Sequence, residues 1–506
     1  METLHLLGQG FGVAFQPLNL GLALLGAFAG TIVGALPGLG PANGVAILIP
    51  VSFTLGLRPE SALILLASVY YGAMYGGRIS SILLNIPGDE PAVMTTLDGY
   101  PMAKQGRGGS ALAISAVASF VGATLATVGL MLFAPLLAKL AIRFGPAEYF
   151  ALYVMAFSTL SSLTGKNPVK TLIGAVLGLM LATVGLDPGS SIPRYTFGQM
   201  KFFEGIDFIV AIVGLFAISE ALVFVETLHA GEFIRYKVGR VSARIRDISR
   251  SFMTMLRGSV IGFVSGVLPG AGASLGSFVA YTLEKRLVDR DNTFGTGDPR
   301  GVAAPEAGNN AAAGGALVPM LTLGVPGSGT TAVLLAMLMS LNITPGPLLF
   351  TQHPEVVWGL IASLYLGNIV LLVLNLPLVG LFVRLLSVPG WILMPVVTMV
   401  GFLGVYSISH SVFDIFLMIG FGVGGYLLRK LDIPLVPVIL GLLLGDDMEV
   451  NLRRALNLGN GNWLTLWHSG LSITLWIIAL LGLVLPLIFL RRPQHIVDDD
   501  PEGMAG

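Results

Sequence analysis

Gly30-Thr-Ile-Val-Gly34-Ala-Leu-Pro37-Gly38-Leu-Gly40 is an apolar helical pattern that runs into a Pro-Gly-x-Gly break. The pattern returns 232 residues later as Gly262-Phe-Val-Ser-Gly266-Val-Leu-Pro269-Gly270-Ala-Gly272. Proline removes a backbone donor and ends a helical run. Glycine lets the chain turn and lets another group approach the backbone closely. Interrupted hydrophobic segments at matching positions of two halves are the best sequence pointer to a transporter's binding site. The motif therefore points to a membrane transporter built from a duplicated unit.

Composition agrees with that reading. Hydrophobic residues make up 54% of the chain and charged ones 11%, with a mean hydropathy of +0.83. A soluble domain carries about 25% charged residues, so this chain cannot cover a water-facing surface. The expected fold is an all-α polytopic membrane protein of two repeated halves with broken helices or re-entrant hairpins. At about 20 apolar residues per span, the chain has room for roughly 10–14 membrane segments. Its lipid bilayer is one partner; its zero net charge gives no argument for nucleic acid. Cysteine is absent, which excludes disulfides and thiolate metal sites. The N-terminus lacks a basic leader, so no cleavable signal peptide is expected. The 66 glycines and 29 prolines suit close helix packing and interrupted helices in lipid.

Residues 3–57, His5 aside, and 307–354 carry no charge and are too long for one span. Each is broken by Pro/Gly clusters, so each folds back, as two spans, as a re-entrant hairpin, or through a loop outside the bilayer. Non-helical backbone at membrane depth is tolerated where protein buries it or it lines a wet cavity. The repeat continues past the opening motif. Gly76-Gly77 then Ile86-Pro87-Gly88 parallels Gly314-Gly315 then Val325-Pro326-Gly327, and Leu186-Asp187 parallels Leu431-Asp432. This divides the chain into a first transmembrane repeat (15–230), a basic linker (231–257), a second repeat (258–490) and a polar tail (491–506). Arg235, Lys237, Arg240, Arg244, Arg246, Arg250 and Arg257 against Glu232 and Asp247 make the linker cytoplasmic by the positive-inside rule. Whether the repeats are parallel or inverted stays open.

The chemistry sits at four breaks, two per repeat. A half-helix starting after such a break presents free N–H groups and a partial positive charge to an anion, and freed carbonyls can hold a small cation. The candidate substrate-binding residues are Gly38, Gly40, Asn85, Pro87, Gly88, Gly270, Gly272, Pro326, Gly327, Ser328, Thr330 and Arg78. Arg78 is a candidate because a guanidinium pairs well with a carboxylate; an internal role beside Asp98 or Glu306 and a snorkelling side chain are the alternatives. Ser81, Asn309, Asn310 and Glu306 are candidate coupling-ion ligands. No Walker A pattern, metal-spaced histidines or Ser/His/Asp arrangement is present, so no catalytic or metal residue is expected and the chain is not read as an enzyme.

Five strings carry a family resemblance: Gly34-Ala-Leu-Pro-Gly-Leu-Gly-Pro41, Tyr70-Tyr-Gly-Ala-Met-Tyr-Gly-Gly77, Ile82-Leu-Leu-Asn-Ile-Pro-Gly88, Leu97-Asp-Gly-Tyr-Pro-Met-Ala103 and Ala303-Ala-Pro-Glu-Ala-Gly-Asn-Asn-Ala-Ala-Ala-Gly-Gly315. Together they closely resemble the large membrane subunit of the tripartite tricarboxylate transporter family (TctA type). The resemblance implies a multi-pass protein of the bacterial inner membrane that imports carboxylates, citrate among them, by Na⁺ or H⁺ symport, with no other cofactor. It also implies two protein partners, a small four-span membrane subunit and a periplasmic solute-binding protein. Arg78 departs from the small polar residue usual after the Gly-Gly pair. An elevator-like alternating access is expected; an ion channel or a non-transporting structural subunit is the alternative, and a membrane enzyme acting on lipid lacks the buried acid/base groups it would need.

Overall fold

The computed structural model describes residues 2–36, 39–163, 168–227, 241–269, 272–385 and 390–489. The chain folds through α1 (Glu2–Ala14), α2 (Pro17–Ala35), α3 (Gly40–Thr54), α4 (Pro59–Leu84), α5 (Val93–Met102), α6 (Gly108–Ala141), α7 (Pro146–Leu163) and α8 (Pro168–Ala182). Next, α9 (Phe208–Ile212) continues through a π-helical stretch, Val213–Ile218, into α10 (Ser219–Thr227). Then come α11 (Ile245–Val267), α12 (Gly272–Val288), α13 (Pro299–Leu323), α14 (Gly329–Ser340), α15 (Leu349–Gln352) and α16 (Pro354–Asn375). The chain closes with α17 (Val379–Leu385), α18 (Gly390–Ser409), α19 (Val412–Lys430), α20 (Leu435–Leu458) and α21 (Gly470–Phe489). A two-residue antiparallel ribbon, β1 (Gly185–Leu186) with β2 (Pro193–Arg194), is the strand structure among the described residues.

Two helices form the centre. Every residue of α4 from 61 to 83 is buried, and so is every residue of α13 from 300 to 323. Small residues permit this enclosure. On α2, Gly26, Gly30 and Gly34 face the carbonyls of Leu65, Val69 and Ala73 on α4 so closely that a Cβ on Gly30 would stand 2.2 Å from the Val69 oxygen. On α11, Gly258, Gly262 and Gly266 face Ala304, Gly308 and Ala312 of α13, and a Cβ on Gly262 would stand 2.1 Å from the Gly308 oxygen. The three glycines recur at an offset of 232 and their three partners at 239, so one helix–helix contact is built twice.

The helix ends repeat as well. Asn85 closes α4 and Gly324 closes α13, both left-handed, at φ 59° and 68°. Gly40 and Gly272 open α3 and α12 at φ 63° and 62°. Farther along, α8 packs on α20 through Gly178 and Gly441, while α19 packs on the π-helical stretch and α10 through Gly422 and Gly425.

Among the described residues, α2, the continuous run Val93–Ala141, the run Phe208–Glu226, α16 and α19 are each long and apolar enough to cross a membrane. Shorter apolar helices are α3, α8, α14, Met394–Ser409 and Gly470–Val484. The central α4 and α13 belong to neither set. Their glycines, hydroxyls and charges lower their hydropathy, and the surrounding protein, not lipid, covers them. The result is an all-α polytopic membrane protein. Helix α11 begins at Ile245, so Arg246, Arg250 and Arg257 of the basic segment lie on a helix, which buries Ser251, Thr254 and Met255 and exposes Phe252, Met253 and Val260 beside Arg246 and Arg250. Residues 228–240 and 490–506, and the sequence candidates Gly38 and Gly270, lie outside the described residues.

Candidate functional site

Four half-helix N-termini meet at one place. The starts of α3 (Gly40, Pro41, Ala42, Asn43), α5 (Val93), α12 (Gly272, Ala273, Ser274) and α14 (Ser328, Gly329, Thr330) line a cavity of ≈ 580 Å³. Pro87, Gly88, Asp89 and Glu90 complete the wall from the second break, and the α19–α20 turn closes it with Arg429 and residues 433–436. The volume falls within the roughly 300–1,000 Å³ usual for small-molecule sites. Each start presents orphan N–H donors and the positive end of a helix dipole. The α14 start carries a reciprocal capping box. Ser328 Oγ accepts the Thr331 N–H at 3.3 Å while the Ser328 N–H donates to Thr331 Oγ1 at 2.8 Å. At the matching position, Asp89 Oδ1 accepts the Ala92 N–H at 3.1 Å. Tyr70 OH lies 3.4 Å from Ser328 Oγ, tying α4 to the α14 start.

Of the candidate substrate residues, Gly40, Pro87, Gly88, Gly272, Ser328 and Thr330 line this cavity. Pro326 and Gly327 are buried beside it but do not line it, and Asn85 is exposed at the end of α4. Gly88 and Gly327 have a reason in packing besides any ligand. A Cβ on Gly88 would stand 2.3 Å from Gly34 O, and one on Gly327 would stand 2.8 Å from Ala316 Cα and 2.9 Å from Gly266 O. The breaks therefore tuck under the α2–α4 and α11–α13 pairs, which only glycine permits.

Arg78 stands away from the cavity, 1% exposed, inside a polar group joining α4, α5, α6 and α13. Its Nη1 donates to Ser119 Oγ at 3.2 Å, and Ser119 Oγ donates to Glu306 Oε2 at 3.0 Å. Thr95 Oγ1 donates to Glu306 Oε1 at 2.6 Å. Asn310 Nδ2 donates to Ser119 Oγ at 2.9 Å and to Glu306 O at 3.1 Å. The Arg78 guanidinium also sits 4.8 Å from the centre of the Tyr75 ring. Asn309 is buried with neither side-chain atom hydrogen-bonded among the described residues. Ser81 Oγ donates to Gly77 O at 2.9 Å within α4. The internal partnership of Arg78 with Glu306, through Ser119, thus replaces direct contact with the cavity. Asp98 is likewise internal: the N–H groups of Gly295, Gly297 and Asp298 donate to it at 2.9 Å, as does Tyr281 OH.

Sequence reasoning missed Asn43, Tyr70 and Arg429. Asn43 sits one turn into α3, where the break motif itself draws attention away. Arg429 ends a hydrophobic segment and resembles an ordinary flanking cation. Only the fold brings it against the cavity, where its Nη1 meets Glu220 Oε2 at 2.5 Å.

Half-helix starts from matching breaks, converging on one cavity in an all-α membrane fold, define a transporter-like membrane protein. Residues 20–440 match the model of the tripartite tricarboxylate transporter TctA family, and the chain belongs to that family. The family is one of transporters. A relative in Agrobacterium vitis, "Uncharacterized 52.8 kDa protein in TAR-I ttuC' 3'region", is 38% identical over 503 residues, 99% of this chain and all of that protein. A second, "Uncharacterized protein in TAR-II ttuC' 3'region", is 38% identical over 242 residues, 47% of this chain and all of its own length. No solved structure matches the chain.

Proposed function

We propose that this chain is the large transmembrane subunit of a binding-protein-dependent secondary transporter that imports carboxylates across the bacterial inner membrane. Its partners in that reading are a small four-span membrane subunit and a periplasmic solute-binding protein. The observation that carries the proposal is the convergence of residues from all four breaks on one cavity. Helix starts supply directed N–H donors and positive potential without a mobile charge, which suits a carboxylate. Ser328 and Thr330 add hydroxyl donors there. Asp89 and Glu90 on the same wall favour a cation arriving with the anion. The coupling ion, Na⁺ or H⁺, is assigned to Glu306 with Asn309, Asn310 and Ser81; the unpartnered Asn309 side chain one turn from Glu306 supports this. Access alternates as the hairpin-bearing helices move against the remainder, elevator fashion. The test is uptake of radiolabelled citrate, tartrate, succinate and benzoate in cells expressing this chain with its two partners, with and without Na⁺ and a pH gradient. Uptake of an acid that requires all three parts and a gradient is expected. Conductance without coupled uptake, or no uptake of any acid from correctly expressed parts, overturns the reading.

A further inference from the structure

We propose that Arg429 is the group that receives a substrate carboxylate in the cavity, and that Glu220 is the internal carboxylate the substrate displaces. The inference rests on the carboxylate reading of the four-break cavity and adds a residue to it. Arg429 is the only basic side chain lining that cavity among the described residues. It reaches there from the last turn of α19, whereas most of the wall comes from the starts of α3, α5, α12 and α14 with the second break.

The way Arg429 is held argues for exchange, not for a fixed tie. A guanidinium offers five N–H donors in a planar fork that suits a carboxylate in two-point contact. In this structure one nitrogen meets one oxygen, Nη1 to Glu220 Oε2. That same oxygen also accepts Asn43 Nδ2 at 3.2 Å. The Arg429 side chain remains 27% exposed, against 11% for Glu220, and Arg429 itself lines the cavity. A second observation points to a ligand: Asn43 is 5% exposed and lines the cavity, yet its Oδ1 has no hydrogen-bond partner, an acceptor that a donor beside the substrate carboxylate, such as the hydroxyl of a hydroxy acid, would satisfy. An incoming acid can engage Arg429 while Glu220 stays on Asn43 or turns away.

The test is a set of variants in the three-part system, scored on the KM of whichever panel acid (citrate, tartrate, succinate or benzoate) is imported, with membrane abundance measured alongside. R429Q is expected to raise KM roughly ten- to hundredfold, the worth of one charge-assisted contact. R429K retains the charge but not the fork and is expected to fall between. E220Q is expected to lower KM, since a competing carboxylate has gone. The deciding variant is R429Q/E220Q. A purely structural ion pair predicts that uptake returns there, because neither charge is left alone. The proposal predicts a KM as poor as in R429Q, and restored uptake in the double variant overturns it. Unchanged KM in an abundant R429Q overturns it too, while leaving the carboxylate reading standing. Failure of the unmodified system to import any acid overturns the carboxylate reading and this assignment together.

Discussion

Arg78 and Glu306 are charges buried within the two most enclosed helices, α4 and α13, with Ser119 of α6 between them. Taking either charge out of water is costly unless the other compensates it. Arg78→Met therefore leaves the Glu306 carboxylate buried among Thr95, Ser119 and Asn310 with no cation, at a cost of about 3–5 kcal/mol. Arg78→Met with Glu306→Gln removes both charges, and most of that loss is expected to return. Thermal unfolding of the purified protein in detergent checks this; equal destabilisation by the single and double variants would show that the two charges do not depend on each other. Asp187 offers a contrasting residue outside the helices. The Ser190 N–H, then the Arg453 side chain, hold its carboxyl well below the usual range near 3.9. A lowered value in the folded state means stability that is present above about pH 4 and is lost as pH falls further. Asp187→Asn is expected to destabilise the protein at pH 7 and to flatten its stability between pH 5 and pH 3, read from unfolding at each pH.

At the scale of elements, the glycine rows fix how near two helices come. Gly30 and Gly262 hold α2 against α4 and α11 against α13, and even a methyl group at either would overlap a backbone oxygen. Neither neighbour is a flexible side-chain tip, so Gly30→Ala and Gly262→Ala must separate the helices, at about 1–3 kcal/mol or more. Gly21, on the same helix as Gly30 with open space around it, is the control, and Gly21→Ala is expected to be neutral or slightly stabilising. Melting temperatures of the three variants decide between tight packing and a tolerant interface. These rows explain which parts of the site could be read in advance. Proline and glycine act on their own backbone, so the four breaks and their spacing were visible in the chain. Gly88 and Gly327 were visible as special, but the neighbours that make them so, Gly34, Ala316 and Gly266, are set by packing. Arg78 sits just after a Gly-Gly pair and suggests a segment edge, yet α4 runs on unbroken to Leu84 and carries it into the interior. Arg429 gave no local sign, because a cation at the end of an apolar helix has the same composition whether it faces a cavity or a headgroup.

At the scale of the whole molecule, the cavity is a boundary. Most of its lining comes from the starts of α3, α5, α12 and α14 with the second break, while Arg429 and residues 433–436 come from the α19–α20 turn. Elevator-like access requires those two sets to slide past each other during each cycle, so a covalent bond across the boundary should stop transport. Gly329, at the start of α14, and Val436, on α20, supply the place. A Cβ on Gly329 would lie 3.5 Å from Val436 Cβ, within the roughly 3.5–4.5 Å that a disulfide spans. The nearer Val436 methyl, at 2.5 Å, is removed by the substitution itself. The chain has no cysteine of its own, so Gly329→Cys with Val436→Cys creates one defined pair. Oxidation is expected to crosslink it, abolish uptake, and release uptake again on reduction, while Val436→Cys alone transports under both conditions. Saturating substrate is expected to slow the crosslinking as the boundary shifts. Full uptake by the crosslinked protein would mean that the α14 start and the α19–α20 turn move as one body, and the sliding boundary would then have to lie elsewhere in the fold.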